Sequence, residues 1–205
     1  MMKIYIEDID ERTVGRDLEQ SLDQLPGWRK AIAMNYSFPI DRLQSARAYL
    51  LLRKALRLEY GNDVKAEFGY GENGKPFLLN YPDIHFNLSH CRKGVMCVVG
   101  DKPVGCDIEE IPHCLPEDVL GAAFCEQERM NIKNAANPCS EFARLWTRKE
   151  SLLKLTGEGL TDNIATLLET EDADMFELYS QVFCSKGYAC SVCGEKDLKI
   201  EKLKD

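Results

Sequence analysis

The chain has 205 residues, 44% apolar and 29% charged, the balance of an ordinary water-soluble globular protein with room for one sizeable domain or two small ones sharing a core. No apolar run approaches the roughly 18 to 20 residues of a membrane-spanning helix, and the acidic opening MMKIYIEDIDERTVGRD is unlike the basic start of a secretion signal. A net charge of −8 argues against general nucleic-acid binding, so the expectation is a cytoplasmic protein with neither membrane nor nucleic acid among its partners. The charge is unevenly placed: residues 28–100 carry 11 basic and 6 acidic side chains, whereas residues 101–205 carry 12 and 21. Two readings fit, an anionic ligand held by the first half with a metal held by the second, or solvated surfaces of differing sign.

In chain order, KIYIEDI reads as a strand with Ile4 and Ile6 on one face. PIDRLQSARAYLLLRKALRLEYG reads as a helix, with Leu43, Ala46, Leu50, Leu51, Ala55 and Leu58 at helical spacing, Asp41 as N-cap and Gly61 as stop. Arg42, Arg47, Arg53 and Arg57 are expected on its open face. GYGENGKPF and NYPDIHF are turn and loop chemistry, sharpest at Asn73-Gly74. FNLSHC leads into the apolar GVMCVVG, which is expected to turn back as a hairpin into PVGCDIEEI. PEDVLGAAFCEQERMNI looks helical, CSEFARLWTRKESLLKLTGEGL is the strongest helix of the chain, and MFELYSQVFC, YACSVC and DLKIEKL read as antiparallel strands.

Nine cysteines is an odd number without a framework spacing, so reduced thiols are expected. Cys190 and Cys193 form a lone CxxC, and with only His85, His90 and His113 as further ligands a zinc or redox site has little to build on. The alternative is a strand whose thiols fill a core.

Two places carry chemistry. Asp107 and Glu109 lie two residues apart in a strand, so the pleat points both carboxylates the same way while Val104, Cys106 and Ile108 face the core. Like-directed carboxylates raise each other's pKa unless a cation joins them, and hard cations such as Mg²⁺ take such oxygens. Downstream, a wheel of about 100° per residue makes Phe142, Leu145, Trp146, Leu152 and Leu153 one stripe with Glu150 and Lys154 at its border. That pair is either an ordinary surface ion pair four residues apart or the third carboxylate and the counter-charge that a metal and phosphate site would need.

FNLSH, then GxDxE at Gly105, Asp107 and Glu109, FxxxE at Phe124 and Glu128, WxxKExxxK at Trp146, Lys149, Glu150 and Lys154, and GxGL at Gly157, Gly159 and Leu160 stand in one order. NGKP lies upstream and GYACSVC downstream. The series resembles the surfactin-synthetase-type 4′-phosphopantetheinyl transferases, from about Asp41 to Val192. The resemblance implies an α+β fold of two similar α/β lobes with pseudo-twofold symmetry, each a small antiparallel sheet packed with a long helix, over residues 1–100 and 101–205, in a monomer. It implies transfer of the phosphopantetheine arm of coenzyme A to a serine of an apo acyl or peptidyl carrier protein, with release of adenosine 3′,5′-bisphosphate. Asp107, Glu109 and Glu150 would hold Mg²⁺, Lys154 would contact the attacked phosphate, and Glu150 would accept the serine proton. Ser89 and His90 would contact coenzyme A phosphates, and Gly74, Lys75 and Pro76 would line its adenine and ribose end. Arg29, Lys30 and Arg47 would serve the 3′-phosphate. Glu110 is expected to point away from this cluster.

Overall fold

The computed structural model describes residues 1–61, 65–157, 159, 163–170, 173, 175–196 and 200–201. The first strand, β1 (Met2–Asp8), is followed by two short helices that the sequence reading passed over, α1 (Val14–Asp23) and α2 (Gly27–Met34), and then by the long α3 (Pro39–Tyr60). Proline at the first helical position starts α3, so Phe38 is its N-cap and Asp41 sits inside the first turn, contrary to expectation. Gly61, at φ 97°, ends it. Of the four arginines expected on the open face of α3, Arg53 and Arg57 are exposed, Arg53 donating to the Gln24 carbonyl, whereas Arg42 and Arg47 are half-buried, Arg42 donating to the Tyr36 carbonyl and Arg47 pairing with Glu7 and Asp17.

Next come β2 (Phe68–Tyr70) and β3 (Pro76–Leu78), an antiparallel pair joined by a turn in which Gly74 takes φ 79°. β4 (His85–Cys91) and β5 (Gly94–Gly100) form the hairpin, in register His85 to Gly100 through Cys91 to Gly94. The expected hairpin between GVMCVVG and VGCDIEE does not exist. β5 already has β4 on one edge and β1 on the other, so the chain leaves the sheet at Asp101 and enters a second one as β6 (Val104–Glu110).

The segment expected to be one helix is two, α4 (Glu117–Ala123) and α5 (Glu126–Asn134), broken at extended Phe124 and Cys125. Glu128 accepts a hydrogen bond from the Cys125 backbone N–H and so closes a capping box at the start of α5. α6 (Pro138–Thr156) begins at Asn137, whose side chain accepts from the Ser140 N–H, and ends at left-handed Gly157. A 3₁₀ turn over Ile164–Glu169 leads to β7 (Phe176–Phe183) and β8 (Tyr188–Glu195). The tail segment contributes β9 (Ile200–Glu201), which runs parallel to β1 rather than antiparallel as expected.

The result is a mixed α/β protein with small antiparallel sheets. One sheet has strand order β4-β5-β1-β9, the other β6-β8-β7. Alternation along β5 explains the layering. Val95, Cys97 and Val99 face α3 with Tyr5, Leu43, Leu51 and Leu52. Met96 and Val98 face the other way, against Val104, Cys106, Ile108, Tyr188, Cys190 and Val192 of the second sheet. With both faces covered, β5 reads as a continuous apolar run and is buried at every position. α6 covers the far face of the second sheet, so the order of layers is helix, sheet, sheet, helix.

Candidate active site

The second sheet must lie close to α6 for a site to form there, and Gly105 permits it. A Cβ at position 105 would stand 2.0 Å from the Ser151 carbonyl oxygen and 2.6 Å from the Leu155 backbone nitrogen. β6 therefore touches the helix backbone, bringing Asp107 beneath the turn that carries Glu150 and Lys154. On the next strand, buried Ser191 reaches the Thr147 hydroxyl at 2.7 Å.

The pleat behaves as the sequence predicts. Asp107 pairs with Ser191 and Glu109 with Ala189, whereas Cys106 and Ile108 belong to the core between the sheets. Glu110 turns away and stands 3.9 Å from Lys93. The Lys154 ammonium group donates to Asp107 Oδ1 at 2.6 Å and to Ser89 Oγ at 2.9 Å, and Ser89 donates to Asp107 Oδ1 at 2.7 Å. These three side chains form one knot across β4, β6 and α6. The sequence motifs predict the meeting of Asp107 and Lys154, but they assign Ser89 to a ligand, not to this carboxylate.

Electrostatics mark the same spot. Burial, then the Asp107 charge, pushes the Glu109 carboxyl up to about 7. Burial and the Asp107 charge also raise Glu150. Burial opposes the charge on Lys154, but Asp107 outweighs it and the ammonium pKa ends above its ordinary value. His90 keeps part of its surface exposed, while partial removal of its imidazole from water and then the Lys154 charge lower its pKa.

The donor set suits a hard divalent cation: oxygens from three carboxylates, one of which, Asp107 Oδ2, is buried without any hydrogen-bond partner. Among the described residues no three His, Cys, Asp or Glu side chains already form a metal cage, and Asp107 Oδ1 is held by Lys154.

The residues expected at the coenzyme end are spread more widely. Arg29 stacks over the Tyr49 ring at 5.4 Å and donates through Nη2 to the Ser45 carbonyl and hydroxyl, while its Nη1 is buried without a partner. Lys30 is exposed near Asp23. Arg47 is drawn to the other side of α3 by Glu7 at 2.7 Å and Asp17 at 3.1 Å, so the structure does not bring it to Ser89 and Asp107. Lys75 is engaged by the end of α6. Its ammonium donates to the Leu155 carbonyl at 2.8 Å, at the end of α6, while Asn73 donates to the Gly157 carbonyl at 2.9 Å. The Asn73-Gly74-Lys75-Pro76 turn thereby grips the C-terminus of the helix bearing Glu150, beside a hollow of about 410 Å³ lined by Asn73, Lys75, Pro76, Phe77, Thr156 and Gly157.

Sequence reasoning missed two buried polar residues. Asn87 Oδ1 accepts the Cys106 N–H at 2.9 Å. Lys149, without exposed surface, donates to the Ile164 and Ala165 carbonyls and pairs with Glu128, each at 2.8 Å. Lys149 was visible only as a motif letter, and Asn87 only as part of FNLSH. The CxxC reading fails on geometry: Cys190 faces the inter-sheet core, Cys193 faces the α6 side, and burial pushes both thiols up to about 12. Of GxGL, Gly157 and Gly159 take positive φ, and Leu160 lies outside the described residues.

Residues 103–197, the span holding Asp107, Glu109, Glu150 and Lys154, match the 4′-phosphopantetheinyl transferase superfamily. The chain is 31% identical over 173 residues to the 4′-phosphopantetheinyl transferase psf-1 of Bacillus pumilus, covering 80% of this chain and 73% of that one. It is 32% identical to the 4′-phosphopantetheinyl transferase gsp of Aneurinibacillus migulanus, covering 80% and 75%. With the 4′-phosphopantetheinyl transferase Sfp of Bacillus subtilis it shares 25% identity over 94% of this chain and 92% of that one. The chain belongs to the 4′-phosphopantetheinyl transferase family, and its activity is that of the family.

Proposed function

We propose that the protein transfers the 4′-phosphopantetheine arm of coenzyme A, with Mg²⁺, to a serine of an apo acyl or peptidyl carrier protein, releasing adenosine 3′,5′-bisphosphate. The observation that carries this is the convergence of Asp107, Glu109, Glu150 and Lys154 where β6 meets α6, with one carboxylate oxygen of Asp107 buried and unpaired. No covalent enzyme intermediate is needed, since a serine hydroxyl can attack the phosphorus next to the pantetheine directly.

Asp107, Glu109 and Glu150 would hold the cation, which when bound neutralises charge on the diphosphate. Lys154 offers its ammonium to a non-bridging oxygen of the attacked phosphate. Glu150, its carboxyl raised by burial and by Asp107, is suited to accept the serine proton near neutral pH. Ser89 and His90 stand at the phosphate end beside Lys154. The Gly74-Lys75-Pro76 turn lines the adenine and ribose end through its backbone, its lysine charge being engaged with α6. For the 3′-phosphate the candidates are Arg29, whose Nη1 is buried without a partner and would have to be uncovered to reach a ligand, and exposed Lys30, the next residue of α2. Arg47 joins them only by releasing Glu7 and Asp17.

The ligand then lies between an N-terminal lobe of residues 1–100 and a C-terminal lobe of residues 101–205. In this reading they are related by a pseudo-twofold axis within one monomer in the cytoplasm, and β9 ties the end of the second to the first sheet. No described helix is long and apolar enough to cross a membrane.

The test is incubation with coenzyme A, Mg²⁺ and a panel of apo carrier proteins, read as the phosphopantetheine mass increment on the carrier. Absence of the increment on every carrier, with coenzyme A still bound, would replace catalysis by binding alone.

A further inference from the structure

β6 is the outer strand of its sheet, with β8 on one side only. Successive backbone N–H groups of a strand point to opposite edges, so among the described residues half of those on β6 have no strand to bond to. At Cys106 and Ile108 these orphan groups are satisfied by side chains of β4, the outer strand of the other sheet. Asn87 Oδ1 accepts the Cys106 N–H at 2.9 Å and Ser89 Oγ accepts the Ile108 N–H at 3.3 Å. Asn87 and Ser89 are two residues apart, so they project from one face of β4 at the spacing of alternate residues. Both are buried, with 4% and 6% of their surface exposed. Two sheet edges that cannot share main-chain bonds are thus joined by a row of side chains acting as a substitute strand.

The residue between the two anchored amides is Asp107, which also pairs through its own backbone with Ser191 on β8. Its backbone is therefore fixed on both flanks. Its side chain makes the Lys154 and Ser89 contacts at 2.6 and 2.7 Å, distances that a slip of about an ångström would carry beyond hydrogen-bond reach. We infer that Asn87 is a positioning residue for the transfer reaction: by holding the Cys106 amide it fixes the edge of β6 and so the place of the Asp107 carboxylate against Lys154. Ser89 holds the Ile108 side and also touches the carboxylate, so Asn87 is the member of the pair whose role is separable. The inference rests on the proposed role of Asp107.

Two experiments test it. In the unaltered protein, amide exchange followed by NMR should show the Cys106 N–H as slow as the amides that β6 shares with β8; exchange at the rate of an open sheet edge would overturn the inference without any variant. In the second, Asn87→Leu removes the acceptor at nearly constant volume, and Asn87→Asp keeps an oxygen there. Asn87→Leu is expected to speed Cys106 exchange and to lower kcat by about 10- to 100-fold, the scale of a catalytic group misplaced by about an ångström, with KM for coenzyme A within about 2-fold. Asn87→Asp should retain Cys106 protection and recover most of kcat. Unchanged kcat in Asn87→Leu, or an equal loss in both variants, would overturn the positioning role. Asp107→Ala run alongside separates the two claims: if it keeps full activity, the reading of the site is wrong whatever Asn87 does.

Discussion

Replacing Lys149 by Met should destabilise the protein strongly. Lys149 has no exposed surface, and its three ammonium protons have three acceptors at 2.8 Å: the Ile164 and Ala165 carbonyls and Glu128 Oε2. The ammonium also stands 5.2 Å over the Phe124 ring. At an effective dielectric constant near 20, the charge pair alone has a gross attraction of about 6 kcal/mol, most of it offset by the cost of taking both ions out of water. The variant does not recover that cost. Methionine fills the channel left by the side chain but strands Glu128, which also caps α5 through the Cys125 N–H, and removes the ammonium bonds to two carbonyls of the 3₁₀ turn. Removing one partner of a buried pair typically costs about 3–5 kcal/mol, which for a chain of this size lowers Tm by about 6–20 °C. The assay is urea and thermal unfolding followed by circular dichroism. Glu128→Gln and the double variant complete a cycle, in which the second change should cost far less than it does alone. A loss below about 1 kcal/mol for Lys149→Met, or strictly additive changes, would refute the view that this lysine is the strut joining α6 to α5 and the 3₁₀ turn.

Gly105→Ala should destabilise by at least about 1–3 kcal/mol and depress activity, because its methyl would meet helix backbone and force β6 away from α6; wild-type Tm and turnover would contradict the close approach. Glu150→Gln should abolish transfer in the carrier mass assay with no loss of stability in unfolding, and undiminished activity would remove Glu150 from the mechanism. Lys75→Met should lower kcat and Tm modestly, by about 1 kcal/mol of lost helix-end capping, with KM for coenzyme A little changed; a rise in KM alone would return the lysine charge to the ligand. The pH dependence has a definite sign: Glu109 is raised from an ordinary 4.5 to about 7 in the fold, so the folded state favours its protonated form. That contribution is complete below about pH 4.5 and is lost as pH rises through 7. Metal-free protein should therefore lose up to about 3 kcal/mol between pH 4.5 and 7.5 at this site, and Glu109→Gln should flatten the curve; an equal slope in the variant would contradict the assignment.

What could be read in advance depended on how local its cause was. A period of two is enough to place Asp107 and Glu109 on one side and Cys106 on the other, and a period of 3.6 places Glu150 beside Lys154, because each needs only the geometry of its own element. Strand pairing is not local. GVMCVVG followed by VGCDIEE has every mark of a hairpin, and what forbids it is that β1, about 90 residues earlier, already occupies the β5 edge. The same holds for charges: nothing in RKES distinguishes a buried lysine from a surface one until Glu128 and the Ile164 turn close over it.

This dependence explains why the motif letters outnumber the groups that can touch a substrate. Asp107 must face a helix that belongs to another part of the chain, across a seam where neither sheet can offer the other a main-chain ladder. The seam is therefore built from side chains: Asn87 and Ser89 on the β6 edge, Lys75 and Asn73 on the end of α6, and glycine at position 105 to let the helix down. Each satisfies a backbone group or a close contact that no apolar residue of similar size could satisfy, and at Cys106 and Ile108 that group is buried. Recognition of FNLSH, NGKP and GxDxE therefore detects the joinery of the site as much as its chemistry, and substitution of the joinery should cost turnover before it costs binding.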